Sequence, residues 1–211
     1  MKFEKNESIL ILGGSRGLGL SFLKGFKALE IPVENRSRKS LPSFDFSKTE
    51  IWPLIIEQIV ELNPSRIIYC AGGGPYGPYS RFEWKDHQWS LRVNFEFPAF
   101  LILNLLKKSP QNLKQLVFIG SQVAESKPDP GAASYAAGKH ALKGLIFSII
   151  AENQSPFDLR LLSPGYMDTD LLPLGAPPRL KGLARSPDAI ASQMIQSISN
   201  PEHRFSHQCF D

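Results

Sequence analysis

The chain has 211 residues, 42% of them hydrophobic and 21% charged, with 24 Lys and Arg against 20 Asp and Glu for a formal net charge of +4. Those values suit one globular domain with a sizeable core, and no repeat or low-complexity segment interrupts it. The basic surplus is small and scattered, so nucleic acid is not an expected partner, while a mild positive field suits an anionic small molecule.

The charged start "MKFEKNES" lacks the apolar core of a signal peptide, and the most apolar stretch, "FPAFLILNLL", is too short to cross a bilayer. A cytoplasmic protein without membrane contact is expected. Cys70 and Cys209 lie in apolar surroundings without metal spacing and read as reduced core thiols. His87, His140, His203 and His207 read as structural or surface residues, and no metal is expected.

In chain order, "SILIL" (Ser8–Leu12) reads as a buried parallel strand running into glycines, and Leu18–Glu30 as a helix. Ile31–Arg38 reads as a weaker strand and "SFDF" (Ser43–Phe46) as a third. A helix over Thr49–Asn63 carries Thr49 at its cap and Pro53 in its first turn. "SRIIYCAGGG" repeats the strand-then-glycine pattern. A helix at about 88–108, a strand over Leu113–Ser121, a helix over roughly 134–152 and a strand over Phe157–Gly165 follow. A Pro-rich loop at about 171–187 leads to a helix over Ser186–Ser199, and "RFSHQCFD" offers a short last strand. Apolar strands alternating with helices predict an α/β fold: a doubly wound, mainly parallel sheet with helices on both faces.

The turn "LGGSRGLG" spaces Gly13, Gly17 and Gly19 between the first strand and first helix. Glycines there let backbone amides and a helix N-terminus approach a pyrophosphate. At the end of the second strand an acidic residue would favour a free ribose 2′-OH, yet the chain has Ser37 and Arg38, with Arg36 nearby and Arg16 in the turn. Guanidinium groups bind phosphate well, so NADP(H) is expected over NAD(H); the other reading is that these arginines are solvated surface charges. Glu34, nearer the strand's middle, points the other way.

Seven motifs stand in one order: "GGSRGLG", "DF" at Asp45 and Phe46, "CAGG", "VN" at Val93 and Asn94, "GS" at Gly120 and Ser121, "YAAGK" and "SPGYMDT". With them the chain resembles the short-chain dehydrogenase/reductase family over nearly its whole length. The resemblance implies a Rossmann-type domain over 1–211, with a short substrate loop at about 166–187, moving hydride between a nicotinamide and a small carbonyl or alcohol. Tyr135 would be the general acid/base, Lys139 its activator, Ser121 the holder of the substrate oxygen, and Asn94 the support of a water chain to the lysine. Gly13, Ser15, Arg16, Gly17, Leu18, Gly19, Ser37 and Arg38 would carry the phosphates. Asp45 and Phe46 would flank the adenine, and Ala71, Gly72 and Gly73 the adenosine ribose. Ser163, Pro164, Gly165, Met167 and Thr169 would border the nicotinamide.

Several positions depart from the family. Leu12 replaces a usual threonine, Tyr69 and Cys70 replace frequent asparagines, and the link between the second and third strands is too short for a helix. Tyr135 and Lys139, four apart on a helix, share one face, so the ammonium is expected to favour the phenolate. The small residues Ala136, Ala137 and Gly138 would leave room for the cofactor. Tyr76, Tyr79, Phe82, Trp84, Tyr166 and Met167 either line a substrate pocket or pack loops. Apolar helices around "FPAFLILNLL" and "ALKGLIFSIIA" match those by which family members pair, so a homodimer or homotetramer is expected, against a densely packed monomer. The rival function is an NADP(H)-sensing protein without turnover. An epimerase would need more than the 46 residues that follow Gly165.

Overall fold

A computed structural model describes the chain except for Met1, Lys2, Lys5, Asn6, residues 126–128 and Asp211, so part of the charged start lies outside the described residues. Six strands form one parallel sheet: β1 (Ile9–Leu12), β2 (Val33–Arg36), β3 (Arg66–Tyr69), β4 (Gln115–Ile119), β5 (Asp158–Pro164) and β6 (His207–Phe210). Their spatial order is β2-β1-β3-β4-β5-β6. The winding reverses between β1 and β3, so their C-terminal ends open a crevice where such sheets bind ligands.

Both faces of the sheet are covered, which is why the inner strands are apolar throughout. Leu10, Leu12, Ile67, Leu116 and Leu159 pack against α2 (Trp52–Leu62), α4 (Phe97–Lys108) and α5 (Ala133–Glu152). Ile9, Ile11, Ile68, Val117 and Leu162 pack against α1 (Gly17–Ala28) and α7 (Pro187–Ser199). A short α6 (Pro177–Leu180) lies in the Pro-rich segment, which an isolated bridge between Met167 and Arg185 closes on itself.

Three expectations are corrected. Ser43–Phe46 is not a strand: Phe44 and Phe46 are buried, and Phe46 lies 4.7 Å from Phe97 between ring centroids. Its alternation is that of an aromatic clamp on the core, and the sheet ends at β2. Thr49 opens a 3-10 turn (Thr49–Ile51) and makes no side-chain cap. The helix expected from about 88 starts as α3 (Trp84–Leu91) and runs into α4 through a π-helical turn, Arg92–Glu96. Among the described residues no helix is long and apolar enough to cross a membrane.

Candidate functional site

The chain leaves β1 through a turn that only glycines fit. Gly13 has a φ of 97°, and a Cβ there would lie 2.6 Å from the backbone N of Ala71 at the end of β3. A Cβ on Gly19 would come within 2.4 Å of the Gly13 carbonyl. Gly14 N donates to Asn35 Oδ1 at 2.7 Å and Gly13 N to the Arg36 carbonyl at 2.8 Å, pinning the turn to β2. Leu12, which stands where the family usually has threonine, is buried, and its carbonyl accepts from the amides of Cys70 and Ala71 at 2.8 and 3.0 Å. Helix α1 begins at Gly17 with Arg16 as an extended N-cap, no side-chain cap and no acidic residue in its first turn. Its amides are thus free for an anion.

Above this turn lies a cleft of about 1060 Å3 that opens to solvent. Of the residues expected around the dinucleotide, Gly13, Ser15, Arg16, Gly17, Leu18, Gly19, Ser37, Arg38, Asp45, Phe46, Ala71, Gly72, Tyr135, Lys139, Pro164, Met167 and Thr169 line it. Gly73 and Asn94 lie behind its wall, and Gly165 lines an adjoining cleft. Cys70, Trp89 and Ile119 also line it, though the motifs did not name them as contacts. Arg16 and Arg38 are exposed at its rim, and among the described residues neither guanidinium has a hydrogen-bond or ion-pair partner. Arg36 instead pairs with Glu34 in the middle of β2, which neutralises the acidic residue that spoke against a phosphate.

At the far end, α5 brings Tyr135 and Lys139 to one face, with Nζ 5.6 Å from the phenol ring centroid. Nζ donates to the Ile119 carbonyl at 2.7 Å. Burial pushes the Lys139 ammonium down to about 8, and the nearby Cys70 pulls weakly the other way. Burial also raises the Tyr135 phenol above its ordinary value; a hydrogen bond with Ser121 opposes the rise and the charge of Asp129 adds to it. Burial sets the direction, and the expected help from Lys139 is not among the causes. Ser121 follows β4 and also caps a 3-10 turn, Gln122–Ala124, accepting from Val123 N at 3.3 Å.

Asn94 is fully buried in the π-helical turn, not solvated. Its Nδ2 donates to the carbonyls of Gly73 at 2.6 Å and Ser90 at 2.7 Å. A Cβ on Gly138 would lie 2.8 Å from Asn94 Cβ, so this glycine makes room for Asn94 and not for a cofactor. Tyr69 donates to the Val93 carbonyl at 2.8 Å, tying β3 to the same turn.

The adjoining cleft, of about 840 Å3, shares Tyr135, Pro164, Met167, Thr169 and Leu171 with the first. Tyr76, Tyr166 and Met167 line it as one reading of the sequence had them. Tyr79, Phe82 and Trp84 do not: they pack around His87, with ring centroids at 4.1, 6.3 and 6.3 Å. Buried His87 meets Ser134 Oγ at 2.5 Å and the Tyr79 carbonyl at 3.1 Å, a structural role. Asp129 lines the cleft unannounced, from a "DPG" turn that carries no periodic signal.

Two surface expectations fail. Cys209, expected in the core, is exposed on β6. His207, expected without ligand partners, has Nε2 2.9 Å from Glu125 Oε1 and 3.9 Å from Cys209 Sγ. His207 and Cys209 stand two apart on β6 and Glu125 meets them from the end of the Gln122–Ala124 turn, so this cluster of metal-ligating types joins segments far apart in the chain.

A family model described as short chain dehydrogenase matches residues 43–174. The chain is 24% identical over 220 residues to the cyclic-di-GMP-binding biofilm dispersal mediator protein of Escherichia coli K12, covering 94% of this chain and 92% of that one. The crystal structure of BdcA in complex with NADPH superposes with a TM-score of 0.81 at 20% identity, over 98% of this chain and 93% of that one. That of 4-hydroxyisoleucine dehydrogenase complexed with NADH gives 0.82 at 22% identity, over 98% and 97%.

Proposed function

The chain belongs to the short-chain dehydrogenase family, and from that premise we propose that it is an NADP(H)-dependent oxidoreductase interconverting a small carbonyl compound and its alcohol. The observation that carries this reading is that Tyr135, hydrogen-bonded to Ser121, stands on the seam between the two clefts and lines both. One cleft has the glycine cradle of a dinucleotide site; the other, mostly apolar with a few polar groups, would take a small molecule.

The glycine turn and the α1 N-terminus would hold the pyrophosphate, and the unpaired Arg16 and Arg38 a 2′-phosphate. Asp45, Phe46, Ala71 and Gly72 would flank the adenosine, and Pro164, Met167 and Thr169 the nicotinamide, which supplies or accepts the hydride when bound. In the reducing direction Tyr135 gives its proton to the substrate oxygen, and its raised pKa keeps that proton in place until then. Ser121 donates a hydrogen bond to the same oxygen, stabilising the charge that develops there. Lys139 loses or keeps its proton one turn behind the phenol. The side-chain amide of Asn94 is engaged by Gly73 and Ser90, so its role is positioning. The whole chain acts as one catalytic domain in this reading, with the segment at about 166–187 over the substrate cleft, in a cytoplasmic homodimer. Leu103 on α4 and Phe147 on α5, 49% and 41% exposed, support pairing through those helices.

A screen of small carbonyl compounds with NADPH, read by loss of nicotinamide absorbance, tests the activity. Tyr135→Phe is expected to abolish turnover while NADPH binding survives; wild-type rates in that variant would refute the assignment. A second reading, a nucleotide-binding protein without turnover, is favoured by the likeness to the cyclic-di-GMP-binding protein. NADPH binding with no compound turned over would support it.

A further inference from the structure

Beside Tyr135, the described residues lining the second cleft include one with a formal charge, Asp129, and among them no basic side chain. The turn that carries this carboxylate is fixed by backbone hydrogen bonds. Gly77 N donates to the Gly131 carbonyl at 2.8 Å, and Ala132 N to the Asp129 carbonyl at 3.1 Å. Gly131 has a φ of 93°, and a Cβ on it would sit 3.1 Å from Gly77 N, so the turn into α5 is locked against the loop carrying Tyr76. The Tyr166 phenol hydrogen-bonds the Asp129 carboxylate, and Tyr76 lies near both. Apart from these groups and the polar Ser121, Gln122 and Thr169, the lining is apolar or glycine.

We propose that this cleft takes a substrate bearing a protonated amine, an amino alcohol or the corresponding amino ketone, with its ammonium against Asp129 between Tyr76 and Tyr166 and its oxygen at Ser121 and Tyr135. The oxygen end rests on the oxidoreductase reading; the ammonium end does not. A carboxylate with a phenol donor and a second aromatic ring is the chemistry that recognises an ammonium, by a charge-assisted bond and by ring faces. An anionic substrate meets repulsion there, and a neutral one leaves the carboxylate against largely apolar walls. Burial already raises the Asp129 carboxyl, a cost that a bound cation relieves. The same cation offsets the charge that pushes the Tyr135 phenol up, so recognition of the amine also eases proton movement at Tyr135.

The test is calorimetric titration of the chain with saturating NADP+, using isopropanolamine, its neutral isostere sec-butanol, and lactate. Isopropanolamine is expected to bind at least about tenfold tighter than sec-butanol, and lactate weaker than either. In Asp129→Asn the preference for the amine is expected to vanish with NADP+ affinity unchanged, which also shows that the variant is folded. Tyr166→Phe, which keeps the carboxylate, is expected to retain the preference in weakened form. Equal affinity for amine and isostere, no heat with the amine, or a preference that survives Asp129→Asn overturns the proposal. Amine preference without hydride transfer to any compound would uphold the ammonium site and refute the oxidoreductase reading, while turnover of neutral and amino ketones at equal kcat/KM would do the reverse.

Discussion

Lys139 Nζ donates to the Ile119 carbonyl at 2.7 Å, joining the helix that carries Tyr135 to the end of the strand that leads to Ser121. The ammonium is buried and held down to about 8. Since its pKa is lowered, Lys139 is a charged donor below about pH 8 and neutral above it. In the reducing direction kcat/KM for NADPH, which reports the free enzyme, is expected to be level near neutrality and to fall as pH rises through about 8. Tyr135, shifted upward, stays protonated across that range and contributes no limb there. A profile level to well above pH 8 would separate Lys139 from the reaction.

The same burial has a cost in stability. A lysine brought from its ordinary value to about 8 destabilises the folded chain while it is charged, so stability rises with pH as the proton is lost between about 8 and the unfolded value. Lys139→Met removes that cost and gives up one hydrogen bond to Ile119, for a net gain of about 2 kcal/mol at neutral pH. Denaturant unfolding is expected to show a higher midpoint in the variant together with lost turnover. A lower midpoint would mean that the Ile119 bond and the polar surroundings outweigh desolvation.

At the other end of the cleft, the unpaired Arg16 and Arg38 set the expected preference between dinucleotides. Arg38→Asp replaces a donor by a repelling charge and is expected to lower the ratio of NADPH to NADH affinity at least about tenfold. Lys27→Ala serves as control, because Lys27 lies in the last turn of α1 and does not line the cleft. Its effect on the ratio is expected to be smaller. Fluorescence titration of both dinucleotides measures each ratio, and an unchanged ratio in Arg38→Asp would remove Arg38 from phosphate recognition.

Features written in the local backbone were legible from sequence. The strand-to-glycine turns at Gly13 and Ala71 and the Tyr135–Lys139 spacing declare themselves within a few residues, and six of the seven strands expected from the sequence are present. Ser43–Phe46 misleads because alternation shows which side chains face inward and says nothing of backbone pairing: Phe44 and Phe46 are buried while, among the described residues, the outer edge of β2 stays unpaired. The sequence treats Asn94 and Gly138 separately, one as support of a water chain and the other as cofactor space, since their contact joins segments far apart in the chain. Asp129 was missed for a like reason: a "DPG" turn has the same spelling whether its carboxylate meets water or a cleft.

A buried polar ladder at the N-terminal ends of the strands was equally invisible to pattern. Arg66, Gln115, Asp158 and Arg160 are all nearly inaccessible, and they bond one to the next from β3 to β5, with Arg66 also paired to Glu7. Arg160 Nη1 donates to the Ser197 carbonyl at 2.6 Å and Nη2 to the Asn200 carbonyl at 3.0 Å, which satisfies the end of α7 and places positive charge at its negative pole. Arg160→Met keeps much of the packing volume but leaves Asp158 without its cation and α7 without its cap. The loss is expected to be about 3 kcal/mol, the size found when one partner of a buried pair is removed, lowering Tm by roughly 10 °C in a chain of this length. NADPH affinity at ambient temperature should be unchanged, because the ladder lies at the opposite end of the sheet from the cleft. A Tm within a degree or two of wild type would show that Gln115 and the Phe205 amide, which also bond Asp158, hold its charge without Arg160.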